Sequence, residues 1–390
     1  MREDPSTVNR QPSTVNRQPS TINYQPSTIN FLKTANTSQS PFRRLKKNKG
    51  AVIGMVLIGI AVFVAVFAYM LAPDHSPDAN RMTLEIGGHK PGFHQAFLLI
   101  RKQRPISTKS RISELFSGAD DRYDYIPISS YQQTGDSLIV NKFIDEGISE
   151  RRSYFHPPAD DGMLIREKTF WLGTDRYGRD ILSRLIIGVR VSLAVGLITV
   201  LLSLSIGILL GAIAGYFGGT ADNIIMWFLN VIWSIPTLLL VFALTLLLGK
   251  GFWQVFIAIG LTMWVNVARI VRGQVLAVKQ LEYVEAARAM GYSTFRIIAK
   301  HILPNIMGPV LVIAASNFAS AIIIEAGLSF LGIGVQPPQP SWGLMIKENY
   351  NFIITNNPML ALVPGFAIML IVLAFNLLGN GLRDAMNVKE

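Results

Sequence analysis

Apolar residues are concentrated in six runs, each long enough to cross a lipid bilayer. The runs cover roughly residues 51–72, 191–214, 223–248, 252–268, 305–331 and 360–380. A membrane-spanning α-helix needs about 20 predominantly apolar residues, and polar segments separate these runs. The pattern therefore predicts an all-α integral membrane protein with six transmembrane helices.

A polar tail, residues 1–41, precedes the first run. A seven-residue unit recurs in it as DPSTVNR, QPSTVNR, QPSTINY and QPSTINF. Each unit contains proline and only one or two apolar residues, which is too little apolar surface to form a core. We predict a disordered cytoplasmic tail.

Basic residues predict how the chain is threaded through the membrane. The stretch FRRLKKNKG, residues 42–50, directly precedes the first span, and the polar segment 269–304 also has an excess of cations. Lys and Arg are enriched in cytoplasmic loops, so both segments and both termini are predicted to be cytoplasmic. Arginines before the second span, at 176, 179, 184 and 190, oppose this assignment. Long translocated segments largely escape the rule.

The segment between the first two spans, residues 73–187, is then extracytoplasmic. Its mixed charges and aromatic residues, without a clear repeat, predict a small irregular folded elaboration. Within YGRDILSRLIIGVRVSL, residues 177–193, the apolar residues Ile181, Leu185 and Val189 recur at four-residue steps. We expect this helix to lie along the membrane interface before it turns into the second span.

Composition narrows the function classes. Half of the 390 residues are hydrophobic, 16% are charged, and the absence of cysteine excludes disulfides and thiolate metal sites. The formal charge of +11 does not indicate nucleic-acid binding, because no basic stripe with interleaved aromatics lies outside the spans. No convergent His/Asp/Glu or Ser/His set is evident near one membrane face, which argues against a membrane enzyme. An ion-coupled secondary transporter is the less favoured alternative, since the predicted spans contain one Glu, Glu325, and no Lys, Arg or His.

The polar stretch EAARAMGYSTFRIIAKHILPN, residues 285–305, predicts two short helices. Gly291 suits the left-handed position that ends a helix, and Ser293 can cap the next one. Glu285 and Arg288 have the i,i+3 spacing of an ion pair. Phe295, Ile298 and Ile302 predict one apolar stripe. We call residues 281–304 the elbow.

The elbow resembles the signature of permease subunits of ATP-binding-cassette importers. The matching residues are Glu285, Ala286, Ala287 and Gly291, followed by His301, Ile302, Leu303 and Pro304. Three further stretches, 172–193, 327–346 and 375–386, resemble the dipeptide/oligopeptide branch and its second, C-type permease. Two features depart from that branch: Asn380 stands where aspartate is frequent, and the segment after the first span is longer than usual.

The resemblance implies a type I importer fold, with a transmembrane type-1 domain over residues 188–384. It implies that residues 269–304, which include the elbow, are the cytoplasmic coupling segment that contacts an ATPase. The implied function is peptide import across a bacterial cytoplasmic (inner) membrane, with transport of a metal chelate or another small solute as an alternative. The implied partners are a second related permease, two ATPase subunits and an extracytoplasmic solute-binding protein.

ATP and magnesium are expected in the partner subunits only. This chain lacks the G-x-x-x-x-G-K-[ST] loop that cradles nucleotide phosphates. It is therefore expected to be a transport subunit without catalytic, cofactor or metal residues of its own.

Six residues within the spans are candidates for a substrate path or gate. They are Asn230, Ser234, Pro236, Asn317, Ser320 and Glu325. Helix–helix hydrogen bonding is an equal alternative for the amides and hydroxyls, and Pro236 favours a packing kink. Intramembrane acids suggest function by default. Glu325, however, lies near the end of its span, where we expect interfacial solvation and a structural role.

The topology is directly testable because the chain has no cysteine. We predict that a membrane-impermeant thiol reagent, applied to intact spheroplasts, labels Asp120→Cys and leaves Ser293→Cys unlabelled. Labelling of position 293 alone would reverse the orientation.

Overall fold

The computed structural model describes residues 41–102, 110–135, 137–155, 163–249, 251–354 and 357–386. The heptapeptide repeats lie outside the described residues.

The first span is an apolar helix whose start is fixed by a side-chain cap. The elements are α1 Pro41–Lys47, α2 Lys49–Val66 and α3 Ala68–Leu71. Asn48 Oδ1 accepts from the backbone N–H of Ala51 at 3.1 Å, which satisfies one of the unpaired donors at the beginning of α2. The Nδ2 atom of the same residue donates to Asp384 Oδ2 at 3.0 Å, so the cap also links the first span to the last helix.

A five-stranded antiparallel sheet follows the first span. Its strands are β1 Phe93–Arg101, β2 Tyr123–Thr134, β3 Ser137–Asp145, β4 Ile148–Phe155 and β5 Met163–Phe170. A short helix, α4 Arg111–Ser117, lies between β1 and β2 in the chain. The strand order is β4-β3-β2-β1-β5. The prediction that this segment is irregular was wrong, because it forms a regular sheet. The central part of β1 is apolar on both of its faces, which allows the strand to be covered on both sides. Phe97 and Leu99 are buried on one face, and Leu98 is buried on the other.

The remaining elements are mostly long helices. They are α5 Ile181–Phe217, α6 Gly219–Trp233, α7 Thr237–Leu248, α8 Phe252–Val278, α9 Glu282–Ala289, α10 Thr294–Ile297, α11 Leu303–Phe330, α12 Trp342–Asn349 and α13 Met359–Met386. A π-helical turn, Ile298–Ile302, makes α10 and α11 continuous. Five helices of the described chain are long and apolar enough to cross a membrane, and the bent pair α6–α7 supplies a sixth crossing if it counts as one span.

Three predicted spans differ from the structure. The second begins at Ile181 in a continuous 37-residue helix, so no separate interfacial helix precedes it. The third is bent by 92° between α6 and α7, where Pro236 precedes the first residue of α7. The fourth continues to Val278, which places Arg269 and Arg272 in the same helix. Hydropathy marks the apolar stretch of a helix and misses polar turns that continue it.

Backbone contact joins α5 to α8. Gly207, Gly211 and Gly215 form a stripe at four-residue steps along α5. A Cβ atom at Gly211 would lie 2.5 Å from the carbonyl oxygen of Ala268, and one at Gly215 would lie 2.8 Å from that of Arg272. Small residues at membrane helix contacts allow this close approach.

A buried ionic network connects the chain before α5 to α12. Arg179 Nε lies 2.6 Å from Asp175 Oδ2, and Arg179 Nη2 lies 2.7 Å from Glu348 Oε2. Arg184 Nη2 lies 3.2 Å from the same Glu348 oxygen. Two guanidinium groups and two carboxylates thus balance in charge, and each of the four residues is less than a tenth exposed.

We predict that Glu348→Gln destabilises the folded protein strongly, because two buried guanidinium groups would then share one carboxylate. Removing one partner of a buried ion pair costs about 3–5 kcal/mol. Thermal unfolding of the detergent-solubilised protein should show a clearly lower Tm. The matched control is Glu150→Gln, which removes an exposed pair with Arg152 on β4 and should leave the Tm unchanged. Equal Tm values for the two variants would contradict a stabilising role of the network.

Candidate functional site

Gly291 ends the first helix of the elbow in a Schellman motif. The N–H of Tyr292 donates to the carbonyl of Ala287 at 3.2 Å, and the N–H of Gly291 donates to that of Arg288 at 3.0 Å. Gly291 has φ +78°, a left-handed conformation that most side chains disfavour. The predicted turn at Gly291 is confirmed, and its hydrogen bonds fix the angle between α9 and α10.

The inner face of the elbow packs on α5 and α8. Val284, Ala287, Ile297 and Ile302 are almost fully buried. They belong to one apolar cluster with residues of α5 and α8, including Ala212, Val271 and Val275. The elbow is therefore attached to the helix bundle by packing as well as by its two covalent ends.

Polar contacts also attach the end of α8, which precedes the elbow, to neighbouring helices. Lys279 Nζ donates to the carbonyl oxygens of Gly215 and Tyr216, at 3.3 and 3.0 Å, which satisfies acceptors at the end of α5. Arg272 forms two bonds of 2.5 Å to Asp222 on α6. These contacts hold the last turns of α8, from which the elbow begins.

Two large apolar side chains are exposed on the outer face of the elbow. Phe295 is 81% exposed and Met290 is 64% exposed. The prediction of one stripe through Phe295, Ile298 and Ile302 was wrong, since Phe295 points away from the buried cluster. Charged residues, including Glu285, Arg288 and Arg296, are exposed on the same segment.

The predicted elbow residues occupy different environments. Glu285 and Ala286 are exposed on α9, while Ala287 is buried. The ring of His301 stacks on Tyr292 with centroids 5.8 Å apart, and Leu303 and Pro304 form the first turn of α11. Two local predictions were wrong. Among the described residues Glu285 forms no ion pair with Arg288, whose guanidinium lies over the ring of Tyr216, and Ser293 forms no side-chain cap.

A second feature, a cavity of about 660 Å³, lies between the bent pair α6–α7 and the helices α8 and α11. Of the predicted path residues, Asn317 and Ser320 line it. Asn230 lies at its edge, where its Oδ1 atom accepts from Arg269 Nη2 at 3.1 Å. Ser234 donates to a carbonyl of its own helix, and Pro236 begins α7, so neither forms the lining.

Glu325 lies elsewhere and is only 1% exposed, so the expected interfacial solvation was wrong. Its Oε1 atom accepts from Ser329 Oγ at 2.6 Å. Ser329 Oγ also accepts from the backbone N–H of Val335, which links this carboxyl group to the loop after α11. The predicted structural role agrees with this position.

Sequence reasoning missed the polar face that α8 presents to the cavity. Thr262, Asn266 and Arg269 line the cavity at steps of four and three residues. This spacing places them on one helical face, which is the signal that could have identified them. The apolar run of the fourth span ended at 268, and Arg269 was therefore assigned to the loop.

Two family models match the chain. Residues 207–389 match the binding-protein-dependent transport system inner membrane component, and residues 38–86 match the N-terminal transmembrane domain of oligopeptide transport permease C.

The matches to curated relatives extend over most of the length of each relative. The glutathione transport system permease protein GsiD of Pectobacterium atrosepticum is 45% identical over 219 residues, which is 56% of this chain and 72% of the relative. The dipeptide transport system permease protein DppC of Bacillus subtilis is 44% identical over 56% of this chain and 68% of its own. The oligopeptide transport system permease protein OppC of Haemophilus influenzae is 43% identical over 65% of this chain and 84% of its own length. Among solved structures, an inward-facing MetNI methionine ABC transporter matches 52% of this chain and 95% of its own, with 19% identity and a TM-score of 0.43.

Proposed function

The chain belongs to the family of inner-membrane components of binding-protein-dependent transport systems, and we propose that it is a permease subunit of an ATP-driven peptide importer. Relatives named as dipeptide, oligopeptide and glutathione permeases support the peptide class of substrate. A metal chelate or another small solute is the alternative substrate class within the same family.

One structural connection carries the proposal. The elbow joins α8 directly to α11, and these two helices provide Thr262, Asn266, Asn317 and Ser320 to the cavity. A displacement of the elbow is therefore transmitted to two walls of the cavity. The Schellman turn and the buried inner face make the elbow rigid enough to transmit a force.

The exposed face of the elbow supplies the contact for a motor subunit. This chain has no phosphate-binding loop, so ATP with its magnesium ion is bound and hydrolysed by two partner ATPases. Phe295 and Met290 offer apolar side chains to a groove of the ATPase, while Glu285 and Arg296 provide charges around them. ATPase closure then moves the elbow and switches the helices between two states.

The remaining partners follow from the transport cycle. A second, related permease forms the other side of the path, and a solute-binding protein delivers the peptide on the extracytoplasmic side. In this arrangement both termini and the elbow are cytoplasmic, and the five-stranded sheet faces the binding protein.

Gly291→Val tests the coupling role of the elbow. No atom lies within 4 Å of a Cβ placed at Gly291, so the substitution acts through its positive φ rather than through a clash. We expect about 1–3 kcal/mol of backbone strain at this turn. The variant should insert normally and lose both peptide uptake and stimulation of ATP hydrolysis by the binding protein in proteoliposomes.

Gly291→Asn is the matched control, because asparagine tolerates the left-handed conformation and should retain most of the activity. Glu285→Ala should reduce coupling more mildly, since it removes an exposed group without strain. Full uptake and full stimulation in an inserted Gly291→Val permease would show that the elbow is only a connector.

Phe295→Ser tests the docking surface. The Phe295 ring is mostly exposed, so its removal should leave the Tm of the permease unchanged and weaken co-purification of the ATPase several-fold. Ile297→Ser is the contrast, because Ile297 is buried and its loss should lower the Tm. Undiminished ATPase binding by Phe295→Ser would exclude this face as the contact.

A further inference from the structure

Arg269 places a positive charge in the wall of the cavity. Its guanidinium lies 4.0 Å from the ring centroid of Trp233, and its Nη2 atom donates to Asn230 Oδ1. No carboxylate of the described residues pairs with it, which distinguishes it from Arg272 one turn away. Stacking on an indole ring and one neutral hydrogen bond fix the guanidinium plane while its charge stays uncompensated.

The polar groups around Arg269 in the cavity wall are neutral hydroxyls and amides that can donate hydrogen bonds. Asn317 is 5% exposed, and its Nδ2 atom has no acceptor in the described chain. Ser316, Ser320 and Asn266 can donate or accept hydrogen bonds, and the described lining residues include no Asp or Glu. A buried N–H without an acceptor is unfavourable until a ligand supplies one.

We propose that Arg269 and Asn317 form a carboxylate-binding subsite of the path, which takes the free C-terminal carboxylate of a peptide. This inference rests on the proposed function and adds an orientation to it. A peptide zwitterion carries one anionic and one cationic end. A cavity with one guanidinium and no acidic lining residue attracts the anionic end and repels the cationic end. A guanidinium group can donate two parallel hydrogen bonds to a carboxylate.

Two probes that differ at their ends test the subsite. N-acetyl-trialanine carries only a carboxylate, and trialanine amide carries only an ammonium group. Equilibrium binding of each radiolabelled probe is measured by scintillation proximity on the purified transporter assembly without its binding protein. We expect the assembly to bind N-acetyl-trialanine at least ten-fold more tightly than trialanine amide.

Three variants locate the binding. Arg269→Gln should weaken binding of N-acetyl-trialanine at least ten-fold, and Arg269→Lys should retain part of the affinity because it retains the charge. Arg383→Gln is the matched control. Arg383 lines the neighbouring cavity with Ile270 and Ser316, and its loss should change the affinity less than two-fold. Probe binding requires neither uptake nor ATP hydrolysis, so a failure of this subsite is distinguishable from a failure of coupling.

Three results would overturn the proposal. The first is equal affinity of the unchanged assembly for the two probes, or no binding of N-acetyl-trialanine. The second is undiminished binding by Arg269→Gln. The third is loss of binding in Arg383→Gln with retention in Arg269→Gln, which would place the carboxylate in the neighbouring cavity. If Arg269→Gln does not fold, the comparison of the two probes on the unchanged assembly and the partial affinity of Arg269→Lys decide the question.

Discussion

The backbone contact between α5 and α8 is the constraint on which the other features depend. In a bilayer, lipid is as apolar as a leucine side chain, so helices associate through close packing and hydrogen bonds. Gly211 permits this packing because any side chain there would meet the carbonyl oxygen of Ala268. The contact fixes α8, and α8 both presents Arg269 to the cavity and leads into the elbow. A shift of α8 away from α5 would disturb the cavity lining and the support of the elbow together.

The membrane helices and the elbow turn could be predicted from the sequence because both depend on local signals. Uncharged runs of about 20 residues have few alternatives to a membrane helix. Gly291 between two short amphipathic segments indicated a helix end, and its positive φ agrees. The family resemblance, confirmed by the relatives, led us to propose a coupling function for the segment, which no local pattern supplies.

Other features could not be predicted because they depend on long-range packing. The apolar stretch in β1 looks the same whether it forms a core helix or a strand covered on both faces. The burial of Glu325 requires Ser329 and the loop after α11, which the sequence does not place near it. Phe295 fits the periodicity of a buried stripe, and periodicity alone cannot distinguish a buried residue from an exposed one. Pro236 indicated a kink, but no local signal gives its size, which is 92° between α6 and α7.

The continuity of α5 has a mechanical consequence. Ten residues, 181–190, precede the part of the helix that hydropathy assigns to the membrane, and they add about 15 Å at 1.5 Å per residue. The buried network of Arg179, Arg184, Asp175 and Glu348 attaches this end to the sheet-bearing segment and to α12. With its apolar stretch centred in a hydrocarbon core about 30 Å thick, the attached end would lie about 30 Å from the bilayer midplane, and a tilt of α5 by about 10° would displace it by about 5 Å. A small rotation of α5 inside the membrane would then become a translation large enough to change which surface groups are opposed at that end.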